Sequence, residues 1–213
     1  MSVTLECNKG EGKVIGNLIR KYALMRLPSW RPIAFRIERE GTNILHSSPE
    51  ILQSMLEFSQ ELSELQFSCD SNLDVVQEVY TFNGSLTSDN LQGSSVKCLT
   101  SGVHLLDLIN DSSLTITIYF RNGYGINDIN QNLSFLQEKQ IVADNSEIKV
   151  IPSIHSEVTQ FFYRIEETTL DKENLILELN NNYDNLDEVK TLTQALATIT
   201  QRIISINSQI GQM

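Results

Sequence analysis

The sequence predicts an α+β chain: helices and antiparallel strands at both ends, interrupted by a β-rich stretch. Three observations carry this. Apolar residues recur at helical spacing in 10–24 and 49–62, and again near the C-terminus. Short runs of period two, broken by Asn-Gly and similar turn pairs, fill 70–155. Period two then returns at 158–166 and 174–179, so the chain leaves a first region near residue 68 and comes back to it near 158. The expected division is 1–67 with 158–213 as one subdomain and 68–157 as an inserted β-rich subdomain.

Val3 to Glu6 alternates and reads as a short strand entering a glycine loop. Gly10 and Gly12 free the backbone before Val14, Ile15, Leu18, Ile19 and Tyr22, the apolar face of a first helix. Its other face carries Gly16, Asn17, Arg20 and Lys21: a small residue that admits a close neighbour, then two cations. That face reads as a docking surface. Pro28 and Pro32 end the helix, since proline breaks the helical ladder and biases its predecessor to extended geometry. Ile33, Phe35 and Ile37 alternate with Ala34, Arg36 and Glu38, a strand with one face buried, followed by a turn at 40–43 and a short return at 44–45.

Ser48-Pro49-Glu50 is a helix-start signature, placing a second helix from Pro49 to about Leu62. Leu65, Phe67 and Cys69 resume the strand period, and Val75–Phe82, Ser95–Leu99, Val103–Leu108 and Leu114–Phe120 are further strands. Residues 125–143 are rich in Asn and Gln and read as a loop, with one more strand at 147–151. The strands at 158–166 and 174–179 are expected to pair with each other and with the Ile33–Glu38 strand. Val189, Leu192, Leu196, Ile199, Ile203, Ile206 and Ile210 are spaced 3, 4, 3, 4, 3, 4, the seam of a helix that packs along another helix. Burying seven such side chains contributes roughly 10–20 kcal/mol gross. The partner is therefore the first helix, a second copy of the chain, or both.

Composition narrows the chemistry. With 213 residues, 40% hydrophobic and 20% charged, the chain can bury a real core. No apolar run reaches membrane-spanning length, and the N-terminus has neither signal-peptide nor transit-peptide character. A net charge of −11 argues against direct, strong nucleic-acid binding. Three scattered cysteines, Cys7, Cys69 and Cys98, suit a reducing compartment and form no zinc-site pair. Gly10-x-Gly12-x-x-x-Gly16 has one residue too many for a dinucleotide fingerprint, and Gly12-Lys13 lacks the rest of a phosphate loop, so no cofactor is expected. His46, His104 and His155 lie far apart, so no metal and no catalytic residues are assigned. An enzymatic reading would need His104 or His155 to meet a carboxylate in a pocket.

With those residues laid out, the chain resembles the N-terminal domain of the bacterial and plastid RNA polymerase alpha subunit. The most specific likeness is to G-x-G-x-x-x-G-N-x-[IL]-R-R, carried here by Gly10, Gly12, Gly16, Asn17, Ile19, Arg20 and Lys21. Ile51–Phe67 is similar to the helix and strand that follow the family's H-E-Y-S segment, of which His46 and Ser47 are present. Gly84–Leu91 resembles G-x-[VL]-T-A-x-D-[IL], Gly123-Tyr124 falls at G-R-G-Y, and Val158–Glu166 is similar to V-x-x-[IV]-x-Y-x-V-E. Asp171–Leu179 and the final helix complete an in-order match from about 5 to 207. Lys21 stands where the family has a second Arg.

The resemblance implies a homodimer that nucleates polymerase assembly and has no active site of its own. One copy receives the beta subunit and the other beta-prime. It implies a dimer interface of Val14, Leu18, Tyr22, Val189, Leu192, Leu196, Ile199, Ile203 and Ile206. Docking of the large subunits would fall to Gly16, Asn17, Arg20, Lys21, His46, His155 and Glu157. The family's C-terminal DNA-binding domain is not matched, and with an A/T-leaning composition this suggests an organelle-encoded plastid (chloroplast) subunit for transcription. A stand-alone homodimeric adaptor of the same fold is the alternative.

Overall fold

The computed structural model describes residues 2–25, 28–39, 41–44, 51, 53–109, 113–142, 148–156 and 160–180. In chain order its elements are β1 (Ser2–Asn8), α1 (Gly12–Met25), β2 (Ser29–Arg39), β3 (Thr42–Asn43), α2 (Met55–Glu64), β4 (Phe67–Cys69), β5 (Val75–Asn83), β6 (Ser85–Thr87), β7 (Val96–Cys98), β8 (His104–Asp107), β9 (Ser113–Gly123), β10 (Gly125–Asn127), α3 (Ile129–Glu138), β11 (Lys149–Val150), β12 (Ser153–His155), β13 (Gln160–Glu167) and β14 (Lys172–Asn180). Every strand pairing among the described residues is antiparallel, so the fold is α+β. The chain divides into two units, 1–28 with 156–213, and 29–155.

In the first unit β14 lies between β1 and β13, with Leu5 opposite Leu175 and Tyr163 opposite Leu177. One face of this sheet gathers Cys7, Phe161, Leu175 and Leu177 against Ile19 and Ala23 of α1. The entry to α1 is built by glycines. Gly10 turns the chain at φ +90°, a backbone conformation that L side chains rarely adopt. Two residues on, the Gly12 N–H donates to the buried Glu173 carboxylate at 2.7 Å. An anion thus meets the positive end of the helix, and a Cβ on Gly12 would sit 2.7 Å from that same oxygen.

The second unit is a seven-stranded sheet whose main path runs β5-β9-β2-β4-β7, with β3 and β11 also pairing to β2. Pro32 sits beside a bulge: Pro32 faces Phe120 and Ala34 faces Tyr119, which leaves Ile33 as the extra residue. Phe35 and Ile37 point to one side, where Phe58 and Leu62 of α2 pack, with the Phe35 and Phe58 rings edge-on at 4.8 Å. Ile33, Ala34 and Tyr119 join Leu136 of α3 in a separate cluster. Strand β2 is therefore buried from both sides, where the alternation predicted one buried face.

Glu78 joins β5 to the start of β7, the two ends of the sheet path. Its carboxylate accepts the N–H groups of Ser95 at 2.7 Å and Val96 at 3.3 Å, and the Ser94 hydroxyl at 3.1 Å. The group is buried, so its removal leaves several backbone donors without acceptors. Glu78→Ala is expected to lower stability by about 2 kcal/mol in urea denaturation, and Glu78→Gln by less because one oxygen remains. An unchanged midpoint for both would show that the strands meet without the carboxylate.

Several expectations are corrected here. The first boundary falls at 28/29, not 67/68, and the second at 155/156 in place of 157/158. The reason is that β2 pairs along most of its length with β9 of the intervening stretch, while β1 supplies the third strand beside β13 and β14. α2 starts at Met55, since Ser54 and Glu57 form a reciprocal capping box; residues 45–50, with the Ser48-Pro49 signature, lie outside the described residues. The Asn-rich loop at 125–143 contains β10 and α3, the latter started by a second capping box of Asp128 and Gln131. The seam at 189–210 lies outside the described residues.

Candidate functional site

Helix α1 has three stripes, which follow from about 100° per residue. Gly12, Gly16, Ile19 and Ala23 are buried against the sheet. Val14, Leu18 and Met25 form an apolar stripe that is 61%, 42% and 44% exposed. Lys13, Asn17, Arg20 and Lys21 form an exposed polar stripe beside it. Compared with the apolar face read from the sequence, the buried face is turned by roughly a quarter of a circle.

Small residues cause the rotation. A Cβ on Gly16 would lie 2.6 Å from Tyr163 Cδ2 and 2.8 Å from two further ring carbons, so the helix backbone rests on the face of that ring. Gly16 is thus absorbed by its own sheet and is not available to a partner, which corrects its assignment to a docking surface. The Tyr163 hydroxyl continues past the glycine and donates to Asn17 Oδ1 at 3.0 Å.

The cations of this unit fall into two classes. Lys9 pairs with Glu167 at 3.3 Å, Arg164 with Glu166 and Glu178 at 3.2 and 3.3 Å, and Lys172 with Glu6 at 3.7 Å. Among the described residues Lys13, Arg20 and Lys21 pair with no carboxylate, and α1 holds no acidic residue.

His155 corrects a second docking assignment, because its side chain is wholly buried in the 29–155 unit. Its Nδ1 lies 2.8 Å from the Ser29 carbonyl, which can only accept, so Nδ1 carries the proton. Nε2 then accepts from the Ser153 hydroxyl at 2.9 Å, and Ser153 Oγ in turn accepts from Asn132 Nδ2 at 3.1 Å. Gly123 leaves room for the ring, since a Cβ there would come within 2.9 Å of it. Burial holds the imidazole at about 4, well below its ordinary 6.5.

The remaining site residues divide simply. Asn17, Arg20 and Lys21 are exposed, as are Val14 and Leu18, while Tyr22 is half-buried. His46, Glu157, Val189, Leu192, Leu196, Ile199, Ile203 and Ile206 lie outside the described residues. His104 does meet a carboxylate, Asp107 at 2.8 Å, and its hydrogen bond holds that acid below the usual range. The pair stands at the surface, with side chains 48% and 37% exposed. Among the described residues no three His, Cys, Asp or Glu side chains gather where a metal ion could be held, and no helix is long and apolar enough to cross a membrane.

No protein-family model matches the chain, and no curated protein matches it significantly.

Sequence reasoning missed Tyr163 and Glu173 as partners of the glycine motif. Glu173 lies 161 residues from Gly12, and no local pattern marks it. For Tyr163 the signal was its place in an alternating strand, on the same face as Phe161 and Ile165.

Proposed function

We propose that this chain is a non-catalytic assembly scaffold of a multisubunit DNA-directed RNA polymerase, an alpha-like subunit that dimerises and docks beta and beta-prime subunits. On this reading the unit built around α1 is the dimerisation and assembly part, interrupted by the β-rich unit, and the protein serves transcription in a plastid. It needs no cofactor, and the large subunits hold the nucleic acid.

The observation that carries the proposal is the outer surface of α1. An exposed apolar stripe and an exposed cationic stripe, unpaired among the described residues, lie side by side on one helix that is fixed to its sheet by its third side. Two chemically different surfaces suit two different partners: the apolar stripe a second copy, joined by the apolar positions at 189–206, and the polar stripe a large subunit. The resemblance at Gly10–Lys21 supports the same assignment.

Co-expression with a tagged beta-type large subunit tests it. The wild-type chain should co-purify in stoichiometric amount, and a stand-alone adaptor should not. Arg20→Ala with Lys21→Ala should keep the dimer in light scattering while large-subunit binding drops at least about tenfold. Val14→Asp with Leu18→Asp, or Leu196→Asp with Ile203→Asp, should give monomers or aggregates. Co-purification that is indifferent to Arg20 and Lys21 would remove the polar stripe from the assembly surface.

A further inference from the structure

We infer that the polar stripe of α1 is a cationic surface rich in hydrogen-bond donors, fitted to a carboxylate-bearing acidic protein segment, and that Tyr163 is the positioning residue that biases Asn17 toward donating. The inference rests on reading this stripe as a docking surface, and adds the chemistry of what docks there.

An asparagine side chain offers one carbonyl acceptor and one NH2 donor, so by itself Asn17 could meet a partner of either polarity. The Tyr163 hydroxyl biases that choice. It donates to Asn17 Oδ1 at 3.0 Å, which engages that oxygen within the chain and leaves the NH2 as the group without a partner among the described residues. Tyr163 can do this because Gly16 lets its ring pass beneath the helix backbone. Around Asn17 stand Lys13 and Lys21, each four residues away, and Arg20 three residues away, all neighbours on a helix surface. Ammonium and guanidinium groups only donate.

Four adjacent exposed side chains therefore present donors and positive charge. Elsewhere in the same unit Lys9, Arg164 and Lys172 are matched by carboxylates. Among the described residues Lys13, Arg20 and Lys21 have no such match, and a partner's carboxylates would supply it. The complement is a segment with carboxylates spaced to meet donors one helical turn apart. A phosphate backbone is the poorer fit, because it is charged at every nucleotide and so carries negative charge past this one helix onto a chain of net charge −11, whereas a protein segment can bring carboxylates only at the few positions that meet the donors.

The test uses the full chain labelled with 15N, followed by NMR while one of three probes is added: a twelve-residue Gly-Ser peptide with glutamates at three positions one helical turn apart (the glutamate peptide), the same peptide with lysines there (the lysine peptide), or a twelve-nucleotide single-stranded DNA. The glutamate peptide should move the Asn17 side-chain NH2 signals and the backbone amides of Lys13, Arg20 and Lys21, with an affinity that falls as salt rises. Arg20→Ala with Lys21→Ala should weaken this at least about tenfold. Tyr163→Phe keeps the ring under Gly16, so the fold should persist. The Asn17 NH2 signals should nonetheless shift before any peptide is added, and binding should weaken about threefold. Asn17 signals unmoved by Tyr163→Phe, no response of α1 to the glutamate peptide, or equal response to the lysine peptide or DNA would each overturn the inference.

The outcome is separable from that of the scaffold proposal. If α1 responds to the glutamate peptide but no large subunit co-purifies, the surface chemistry stands and the scaffold fails. If co-purification depends on Arg20 and Lys21 while the glutamate peptide leaves α1 untouched, the scaffold stands and the acidic-segment assignment fails.

Discussion

Gly16→Leu is expected to destabilise the protein by about 3 kcal/mol, at the upper end of what overpacking a buried contact costs. Even the first added carbon would meet three ring carbons of Tyr163 at 2.6 to 2.8 Å. That ring has little room to yield: its hydroxyl is held by Asn17, and its strand is paired along its full length with β14. Gly16→Ala is a gentler probe, because the clash is opposed by about 1 kcal/mol of gained helix propensity. We expect a net loss near 1 kcal/mol, recovered when Tyr163→Leu is added. Urea denaturation followed by circular dichroism reads all three. A stable Gly16→Leu protein would mean that the helix slides on its sheet and that the rotation of α1 is not fixed by this contact.

Acid stability should change by a comparable amount through His155. The folded state holds this imidazole neutral down to about 4, whereas the unfolded chain takes up a proton near 6.5. Between those values the unfolded state binds more protons, so stability rises with pH across the window and is lost as pH falls through it. The full difference is about 3 kcal/mol at 1.36 kcal/mol per unit. Above 6.5 both states are neutral and the effect vanishes. His155→Gln loses the titration, and its denaturation midpoint should be flatter than wild type from pH 6.5 to 4. Equal slopes for the two proteins would show that the ring gains a proton without unfolding.

Periodicity located α1 correctly and misplaced its buried face, for a reason that residue scales share. Gly12, Gly16 and Ala23 carry little hydrophobic weight, yet close approach of backbone to sheet decides which side is inside. Val14 and Leu18 weigh more and stay exposed. Helix α3 was hidden by its Asn and Gln content, although Asp128-x-x-Gln131 ahead of Leu133 and Leu136 is a readable start signal. For α2 two start signals compete, Ser48-Pro49 and Ser54-x-x-Glu57, and the described helix uses the second. Strand positions were legible, as was the pairing of β13 with β14, but the strand at 33–38 does not join them: β1 takes that place and β2 pairs with β9. The alternation at 33–38 resembles a one-sided strand, and only the placement of α2 and α3 on its two sides makes it central. Glu78 and Glu173, which hold backbone donors far away in sequence, leave no trace in local pattern.

The pairing of β1 with β14 sets an order of events during synthesis. Ser2 lies opposite Glu178, so β1 must wait for β14, made about 170 residues later. Residues 29–155, whose strand pairings close within themselves, can fold as soon as they leave the ribosome. Helix α1 emerges early but has no sheet beneath it until Leu175 and Leu177 arrive. Its exposed stripes acquire their fixed orientation only once β14 has been made, so a nascent chain that stops short of it cannot engage a partner through them.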